Sequence, residues 1–356
     1  MTRIYLSGAG GFAGSHALEH VLADTDAYVV ATDSFRHKGK TSRIREIIEA
    51  SPKYASRVDV LRHDLTAPFD DQALARINGI DYMICYASES HVDRSISDPV
   101  PFVMNNVQVA LSQLEAARKL KPKAFVWVST DEVTGPVEPD DLEGHSEWGP
   151  HLPSNPYAGS KAAQENIAFS YWRTYGVPVV IVRCMNMIGE RQDPEKFLPM
   201  IISKVLSGET VKIHGSPGHI GTRHYLHSRN LADGIMHVLK QQDTAMFPAH
   251  ADTYEMRFER PMGFVRREDR PDMYNIATAD RIDNLTLAQT VADFVGKPLH
   301  YELEDFQKAR PGHDAHYGLN PSKLQDTGWS PPVPLMESLE KTVKWTLAHP
   351  EWLIPG

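Results

Sequence analysis

The sequence predicts an α/β chain: a doubly wound parallel sheet with a smaller mixed α/β lobe at its C-terminal end. Three observations lead there. A short apolar strand, Arg3 to Ser7, runs straight into Gly8-Ala9-Gly10-Gly11-Phe12-Ala13-Gly14, which opens a helical pattern through Leu18, Val21 and Leu22. Strand and helix patterns then alternate from residue 3 to 184, as parallel strands joined by helical crossovers do. A second strand, Tyr28 to Ala31, ends at Thr32-Asp33-Ser34, which sets an acid about 20 residues beyond the glycines. Glycines at 8, 11 and 14 let the chain turn tightly, let a pyrophosphate approach the backbone, and aim a helix N-terminus at it. Asp33 can accept hydrogen bonds from ribose hydroxyls and repels a 2′-phosphate. NAD is therefore expected over NADP, although Arg36, His37 and Lys38 stand nearby. In outline this is a Rossmann sheet.

The remaining elements follow in chain order. Val58 to Leu61 is a third strand, and Asp64 after it either touches an adenine amino group or caps a turn. Gly79 to Ala87, through Tyr82-Met83-Ile84-Cys85-Tyr86, is a buried strand. It runs into the polar loop Ser88-Glu89-Ser90-His91-Val92-Asp93-Arg94, at the carboxyl end of the sheet where such folds bind ligands. Pro101 to Lys119 is a long helix, with Val103, Val107, Ala110, Leu114 and Ala117 as its core face. Phe125-Val126-Trp127-Val128 is the next strand and leads into Ser129-Thr130-Asp131-Glu132, a hydroxyl-rich end with two adjacent carboxylates. A Pro/Gly-rich loop from Gly135 to Pro156 precedes Tyr157-Ala158-Gly159-Ser160-Lys161 and a helix to Tyr175. A Tyr and a Lys four apart share one helix face. Val177 to Cys184 is another apolar strand.

After Cys184 the elements become shorter and mixed. A polar loop covers Gly189 to Pro199 and a helix Phe197 to Leu206. A strand at Val211 to Ile213 precedes a glycine-rich loop, Gly215 to Gly221. Strand and helix return at Arg223 to Leu226 and Leu231 to Leu239. Residues 241–271 read as an extended loop. Tyr274 to Ala277 and Tyr301 to Leu303 are strands; Leu285 to Val295 and Leu335 to Leu347 are helices. The expected division is a cofactor-binding sheet over 1–184 and a substrate-binding lobe over 185–356. Some of the later strands and helices should return to the main sheet, with the ligand between the lobes.

Composition excludes several classes. Lys and Arg number 37 against 46 Asp and Glu, a net charge of -9, which argues against a nucleic-acid partner. The only two cysteines, Cys85 and Cys184, lie in apolar runs. They read as buried thiols of a reducing, cytoplasmic compartment and rule out a disulfide framework or cysteine-rich zinc site. No apolar run is long enough to span a membrane. The 17 histidines are scattered without metal-ligand spacing, so no metal is expected.

In combination, several motifs resemble the extended short-chain dehydrogenase/reductase family over almost the whole chain. They are the glycine turn, Ser88-Glu89-Ser90-His91-Val92-Asp93-Arg94-Ser95, Ser129-Thr130-Asp131-Glu132-Val133, and Tyr157 with Lys161. Pro194-Glu195-Lys196, Arg223-His224-Tyr225-Leu226-His227 and Arg310-Pro311-Gly312-His313-Asp314 complete the set. The resemblance implies NAD held by Gly8, Gly11, Phe12, Gly14, Asp33, Asp64, Leu65, Ala87, Tyr157 and Lys161. It implies a nucleotide-diphosphate hexose held by Ser90, His91, Asn186, Glu195, Lys196, Arg223 and His316. The position of His316 is one where the family usually carries Arg. The adjacent Asp131-Glu132 pair points, within the family, to elimination of water between C5 and C6 of the hexose. By resemblance Tyr157 is the base at the sugar 4-hydroxyl, with Lys161 and Thr130 assisting. Glu132 is the base at C5, and Asp131 is the acid at the 6-hydroxyl. Lys161 is expected to favour the phenolate of Tyr157. The competing expectations are a 4-epimerase or a uronate decarboxylase, and a non-catalytic dinucleotide-binding protein. The resemblance also implies a homodimer through a four-helix bundle, with Leu111, Phe169, Tyr171 and Trp172 as contacts.

Overall fold

A computed structural model describes residues 1–138, 140–141, 143–216, 219–244, 270–278, 281–304 and 316–354. The motif from Arg310 to Asp314 and nearly all of the expected loop over 241–271 lie outside these residues. In the first half the chain forms β1 (Arg3–Ser7), α1 (Phe12–Asp24), β2 (Tyr28–Asp33), α2 (Thr41–Glu49), α3 (Pro52–Ala55), β3 (Val58–Arg62), α4 (Asp71–Arg76) and β4 (Tyr82–Cys85). Then come α5 (Val92–Ser97), α6 (Pro99–Leu120), β5 (Ala124–Thr130), α7 (Pro156–Tyr175) and β6 (Val179–Cys184). Part of the polar loop expected over Ser88 to Arg94 is therefore helical. His91 is the N-cap of α5, its side chain accepting from the Arg94 N–H.

The second half forms β7 (Asn186–Ile188), α8 (Phe197–Ser207), β8 (Val211–Ser216), β9 (His219–Ile220), β10 (Thr222–His227) and α9 (Ser228–Thr244). It continues with β11 (Asp272–Ile276), β12 (Arg281–Asp283), α10 (Asn284–Val295), β13 (Tyr301–Glu304), α11 (Ser322–Gln325) and α12 (Leu335–Ala348). Within the glycine-rich loop expected from Gly215 to Gly221, Gly215 and Ser216 of β8 pair antiparallel with Ile220 and His219 of β9.

The central sheet has seven strands in the order β11-β6-β5-β4-β1-β2-β3, all parallel. Its inner strands are buried on both faces, and so they read as continuous apolar runs, whereas the edge strand β3 is largely open. One face packs Leu6, Val29, Val126 and Val182 against α1 and α9, with Leu18, Leu22, Leu231 and Ile235. The other packs Tyr5, Met83, Phe125 and Ile181 against α6 and α7, with Leu114 and Ala168. On α6 the buried face runs through Val109, Ala110, Leu114 and Ala117. Val103 and Val107, expected on that face, are only half-buried. Two small sheets, β12-β10-β7 and β13-β8-β9, share a third apolar core with α8, α10 and α12. The strand orders reverse between β1 and β4, and the loops at the carboxyl ends of these strands frame the crevice where such sheets bind ligands. No helix among the described residues is long and apolar enough to cross a membrane.

Candidate active site

Strand β1 ends in the glycine turn. Gly8 has φ +70°, and a Cβ there would stand 2.9 Å from the Ala87 nitrogen, so only glycine fits against the end of β4. A Cβ on Gly14 would collide with the Gly8 carbonyl oxygen, which lets α1 start hard against β1. The N-cap of α1 is Gly11, which supplies no side-chain cap. The first-turn N–H groups of α1 are left to a ligand, an arrangement that suits a pyrophosphate. Asp33, buried at the end of β2, accepts from the Gly10 N–H at 3.0 Å and the Phe35 N–H at 2.9 Å. These bonds fix the carboxylate beside the turn and leave each oxygen room for a ribose hydroxyl. The cations that follow Asp33 are already matched with carboxylates. Arg36 pairs with Asp64 at 2.7 Å, His37 lies 3.6 Å from Glu89, and Lys38 pairs with Glu195 at 2.6 Å. No uncompensated cation of this group faces a 2′-phosphate. These residues fit NAD.

The reactive groups come together one layer further along. Strand β5 ends at Thr130, and a single 3-10 turn carries Asp131 to Thr134. Thr130 Oγ1 donates to Asp131 Oδ1 at 2.9 Å and accepts from the Glu132 N–H at 3.4 Å. Asp131 is 5% exposed, and its Oδ2 is buried with no hydrogen-bond partner. Burial pushes its pKa up to about 6, against the pull of Thr130 and the Arg223 guanidinium. Glu132, more exposed, has its Oε2 held by Asn155 Nδ2 at 3.0 Å. Gly135, at φ +78°, then turns the chain so that the Leu152 N–H reaches the Val133 carbonyl at 3.0 Å.

Helix α7 supplies the other half. Asn155 is its N-cap and Pro156 its first residue, a helix start legible as Asn-Pro. The buried phenol of Tyr157 has its pKa raised well above 10 by burial and then by the charge of Glu132. Lys161, expected to favour the phenolate, is not among the largest causes of that shift. Lys161 Nζ donates instead to the Val128 carbonyl at 2.8 Å and lies 5.4 Å from the centre of the Trp127 ring. Burial lowers its own pKa to about 8, opposed by Glu165 beneath it. Glu165 is paired with Arg183 at 2.7 Å and with His151 at 2.9 Å. Despite burial, Arg183 and His151 hold its pKa down to about 2.

Around this centre the other sequence candidates divide. Lys196 is half-buried, and its charge is felt by Glu132 and by His91. Arg223 acts on Asp131 from the other side, stacks 4.7 Å over Tyr317 and neighbours His316. His316 Nδ1 lies 2.8 Å from Thr222 Oγ1. Ala87 is buried against Gly8, and Phe12 lies edge-on to His16. Four candidates face solvent or make other contacts. Ser90 and Asn186 are exposed, Glu195 is turned to Lys38, and Leu65 belongs to the core. Asp64 caps a turn through the Thr66 N–H at 3.0 Å, the second of its two sequence readings.

Sequence reasoning missed the residues that brace the site. Asn106, fully buried in α6, bonds both the N–H and the carbonyl of Glu89 and also Ser160 Oγ. It ties the loop after β4 to α7. Ser95 Oγ accepts from the Tyr157 N–H at 3.1 Å. Away from the site, His16, Glu190 and His227 form a buried cluster. His227 Nδ1 accepts from the Arg229 N–H at 3.0 Å, so its Nε2 carries the proton that faces Glu190. His16 Nε2 faces the Glu190 carbonyl at 2.9 Å. Both rings thus present Nε2–H to Glu190, and the cluster is held together by hydrogen bonds.

Residues 4–249 match the profile of the NAD dependent epimerase/dehydratase family. The chain is 31% identical to a probable dTDP-glucose 4,6-dehydratase of Sinorhizobium fredii, covering 99% of this chain and 95% of that one. A dTDP-glucose 4,6-dehydratase of Streptomyces venezuelae, solved with NAD bound, superposes with a TM-score of 0.81 at 29% identity, over 99% of both chains. A UDP-glucose 4-epimerase of Thermus thermophilus, solved with NAD, gives a TM-score of 0.75 at 27% identity, over 97% of this chain and 98% of that one.

Proposed function

The chain belongs to the NAD dependent epimerase/dehydratase family, and on that premise we propose that it is a nucleotide-sugar 4,6-dehydratase. It converts a nucleoside-diphosphate glucose into the 4-keto-6-deoxy sugar and water. One observation carries the reading beyond the family. Two adjacent carboxyls at the end of β5 sit in unequal surroundings. Asp131 is sealed, and burial shifts it toward its neutral form, with a pKa of about 6, while Glu132 is more open and receives an amide N–H. Elimination across C5 and C6 needs such a pair, one group to take a proton and one to give one. Epimerisation at C4 does not.

Bound NAD would supply the acceptor for the C4 hydride and the source of the hydride returned to C6. It would be held by the glycine turn, the first turn of α1, Asp33, Tyr157 and Lys161. Tyr157 takes the proton of the 4-hydroxyl, and Thr130 donates to the same oxygen as charge gathers there. The 4-ketone makes the C5 proton acidic, and Glu132 removes it. Asp131 protonates the departing 6-hydroxyl. Arg223 and Lys196 flank the carboxyl pair and hold the diphosphate, with His316 beside Arg223 on the nucleotide side. The chain divides into a cofactor half, 1–184, and a substrate half, 185–356.

The working unit is a homodimer. Val100, Met104 and Leu111 are exposed along one stripe of α6, at the spacing of a helix–helix seam. Phe169, Tyr171 and Trp172 are used within the chain: Phe169 stacks on Trp148, Tyr171 donates to Glu115, and all three pack on the core. The two unpaired, buried thiols suit a reducing cytoplasm.

Incubation with NAD and nucleoside-diphosphate glucoses tests the reading. The expected product has lost water and absorbs in the near ultraviolet after alkali. Release of an epimerised sugar with no loss of water would overturn it. Glu132→Gln should oxidise C4 and then stall, leaving the reduced nicotinamide absorbance on the protein. Normal turnover by that variant removes Glu132 from its role.

A further inference from the structure

Asn155 is 7% exposed and uses both ends of its amide. Oδ1 accepts from the Ala158 N–H at 2.9 Å and so caps α7. Nδ2 donates to Glu132 Oε2 at 3.0 Å. The orientation is fixed by chemistry: a backbone N–H can only donate, so the oxygen must face Ala158 and the nitrogen is left for Glu132. One side chain therefore joins the helix that carries Tyr157 and Lys161 to the carboxylate at the end of β5. It also separates the two carboxyls. Glu132 receives an N–H, whereas the buried Asp131 Oδ2 receives none. Asp131 does receive the Thr130 hydroxyl on Oδ1, but burial outweighs it: a donor favours the ionised carboxylate, and burial favours the neutral acid.

From this geometry we propose that Asn155 is a positioning residue for the elimination step. It holds Glu132 ionised and aligned with Tyr157, and helps to divide base from acid within the pair. The proposal rests on the dehydratase reading. Among the described interactions, Asp131 beside it, Tyr157 from α7 and Lys196 ahead of α8 face Glu132, and none of them changes in the test.

Two variants separate positioning from capping. Asn155→Ser keeps an oxygen for the helix cap but has no N–H that reaches Glu132. Asn155→Asp keeps the cap and sets a second carboxylate against Glu132. Asn, Asp and Ser cap helices about equally well, so both thermal midpoints should stay close to the parent. With nucleoside-diphosphate glucose, the rate of cofactor reduction should hold. Exchange of the C5 proton with deuterated solvent, and kcat with it, should fall about 10- to 100-fold in Asn155→Ser, with KM little changed. The acid limb of the kcat profile should move to higher pH in both variants, further in Asn155→Asp. Wild-type C5 exchange and an unmoved acid limb in Asn155→Ser would reduce Asn155 to a helix cap and overturn the proposal. Equal loss of cofactor reduction and C5 exchange would do the same. If the parent enzyme itself removes no water from these sugars, the dehydratase reading falls first, and that result is in hand before any variant is made.

Discussion

Burial of Asp131 costs the resting protein stability and suits it to catalysis. Its pKa is raised to about 6 from an unfolded value near 4. The stability tied to its neutral form is therefore complete below about pH 4 and lost as pH rises through about 6. By pH 8 the ionised, partly unpartnered carboxylate costs on the order of 2–3 kcal/mol. Asp131→Asn should accordingly raise the thermal midpoint at pH 8, and calorimetry near pH 4 should find most of that gain gone. The same variant should lose about 10²- to 10⁴-fold in kcat, as removal of a general acid does. A variant equally stabilised at both pH values would show that the carboxylate charge is not the cause. The sequence made Asp131, Glu132, Tyr157 and Lys161 legible, because an apolar strand running into carboxylates and a Tyr-Lys pair at helical spacing are local patterns. It did not reveal what Asn155 does. Asn-Pro announces a helix start, but the partner of the spare amide nitrogen depends on how strand and helix meet. Where the Lys161 ammonium points was hidden for the same reason. Four residues of separation put both on one helix face, yet the ammonium is drawn to the Val128 carbonyl.

At the scale of elements, β6 and α7 are joined beneath the site by an ion pair that the sequence disguised. Arg183 reads as a break in an apolar run, but it is 1% exposed on β6. It grips Glu165 of α7 through Nε and Nη2 at 3.0 and 2.7 Å. Its Nη1 reaches the Glu147 carbonyl in the loop that returns to α7. Removing one partner strands a buried charge, so Arg183→Met should cost about 3–5 kcal/mol. Arg183→Met combined with Glu165→Leu should recover most of it, and urea unfolding of the three proteins checks this. The sign of the pH dependence is opposite to that of Asp131. Glu165 is depressed to about 2, so its contribution is present above its ordinary value near 4.5 and is lost as the pH falls toward 2. The double variant should therefore unfold less steeply with acid in that window. The pairing of β5 with β6 was legible, since both are near-continuous apolar runs. The helix from Val92 was not, because its six residues carry no apolar periodicity and follow a polar segment.

Across the whole molecule, a boundary at residue 184 follows the change in sequence pattern but not the sheet. Strand β11 pairs with β6 in register from Asp272 with Val180 to Ile276 with Cys184, and α9 packs on α1. A parallel partner so distant along the chain leaves no local trace, because parallel pairing is set by where the crossover lands. If α6 forms the dimer seam, Met104→Asp with Leu111→Asp should yield a monomer by light scattering while the fold persists. The cofactor crevice is assembled from equally distant pieces. Arg43, fully buried in α2, bonds the Gly10 and Lys38 carbonyls and the Arg191 carbonyl, and pairs with Asp193 at 3.2 Å. The glycine turn, the segment after Asp33 and the segment ahead of α8 are thereby one structure. A ligand that binds the folded crevice and not the unfolded chain must then stabilise all of it together. At 100 times its Kd the gain is about 2.7 kcal/mol, which for a chain of this length is about 3 to 4 °C in midpoint. Thermal scans with NAD should show one transition shifted by that amount. NADP should shift it less, because Asp33 repels the 2′-phosphate. Asp33→Ala should weaken NAD about 10- to 100-fold through the lost ribose bonds and narrow the gap between the two cofactors. If NADP shifted the midpoint as far as NAD in the parent protein, Asp33 would not be selecting the ribose. The neighbouring cations Arg36 and Lys38 would then have left their carboxylate partners to meet the phosphate.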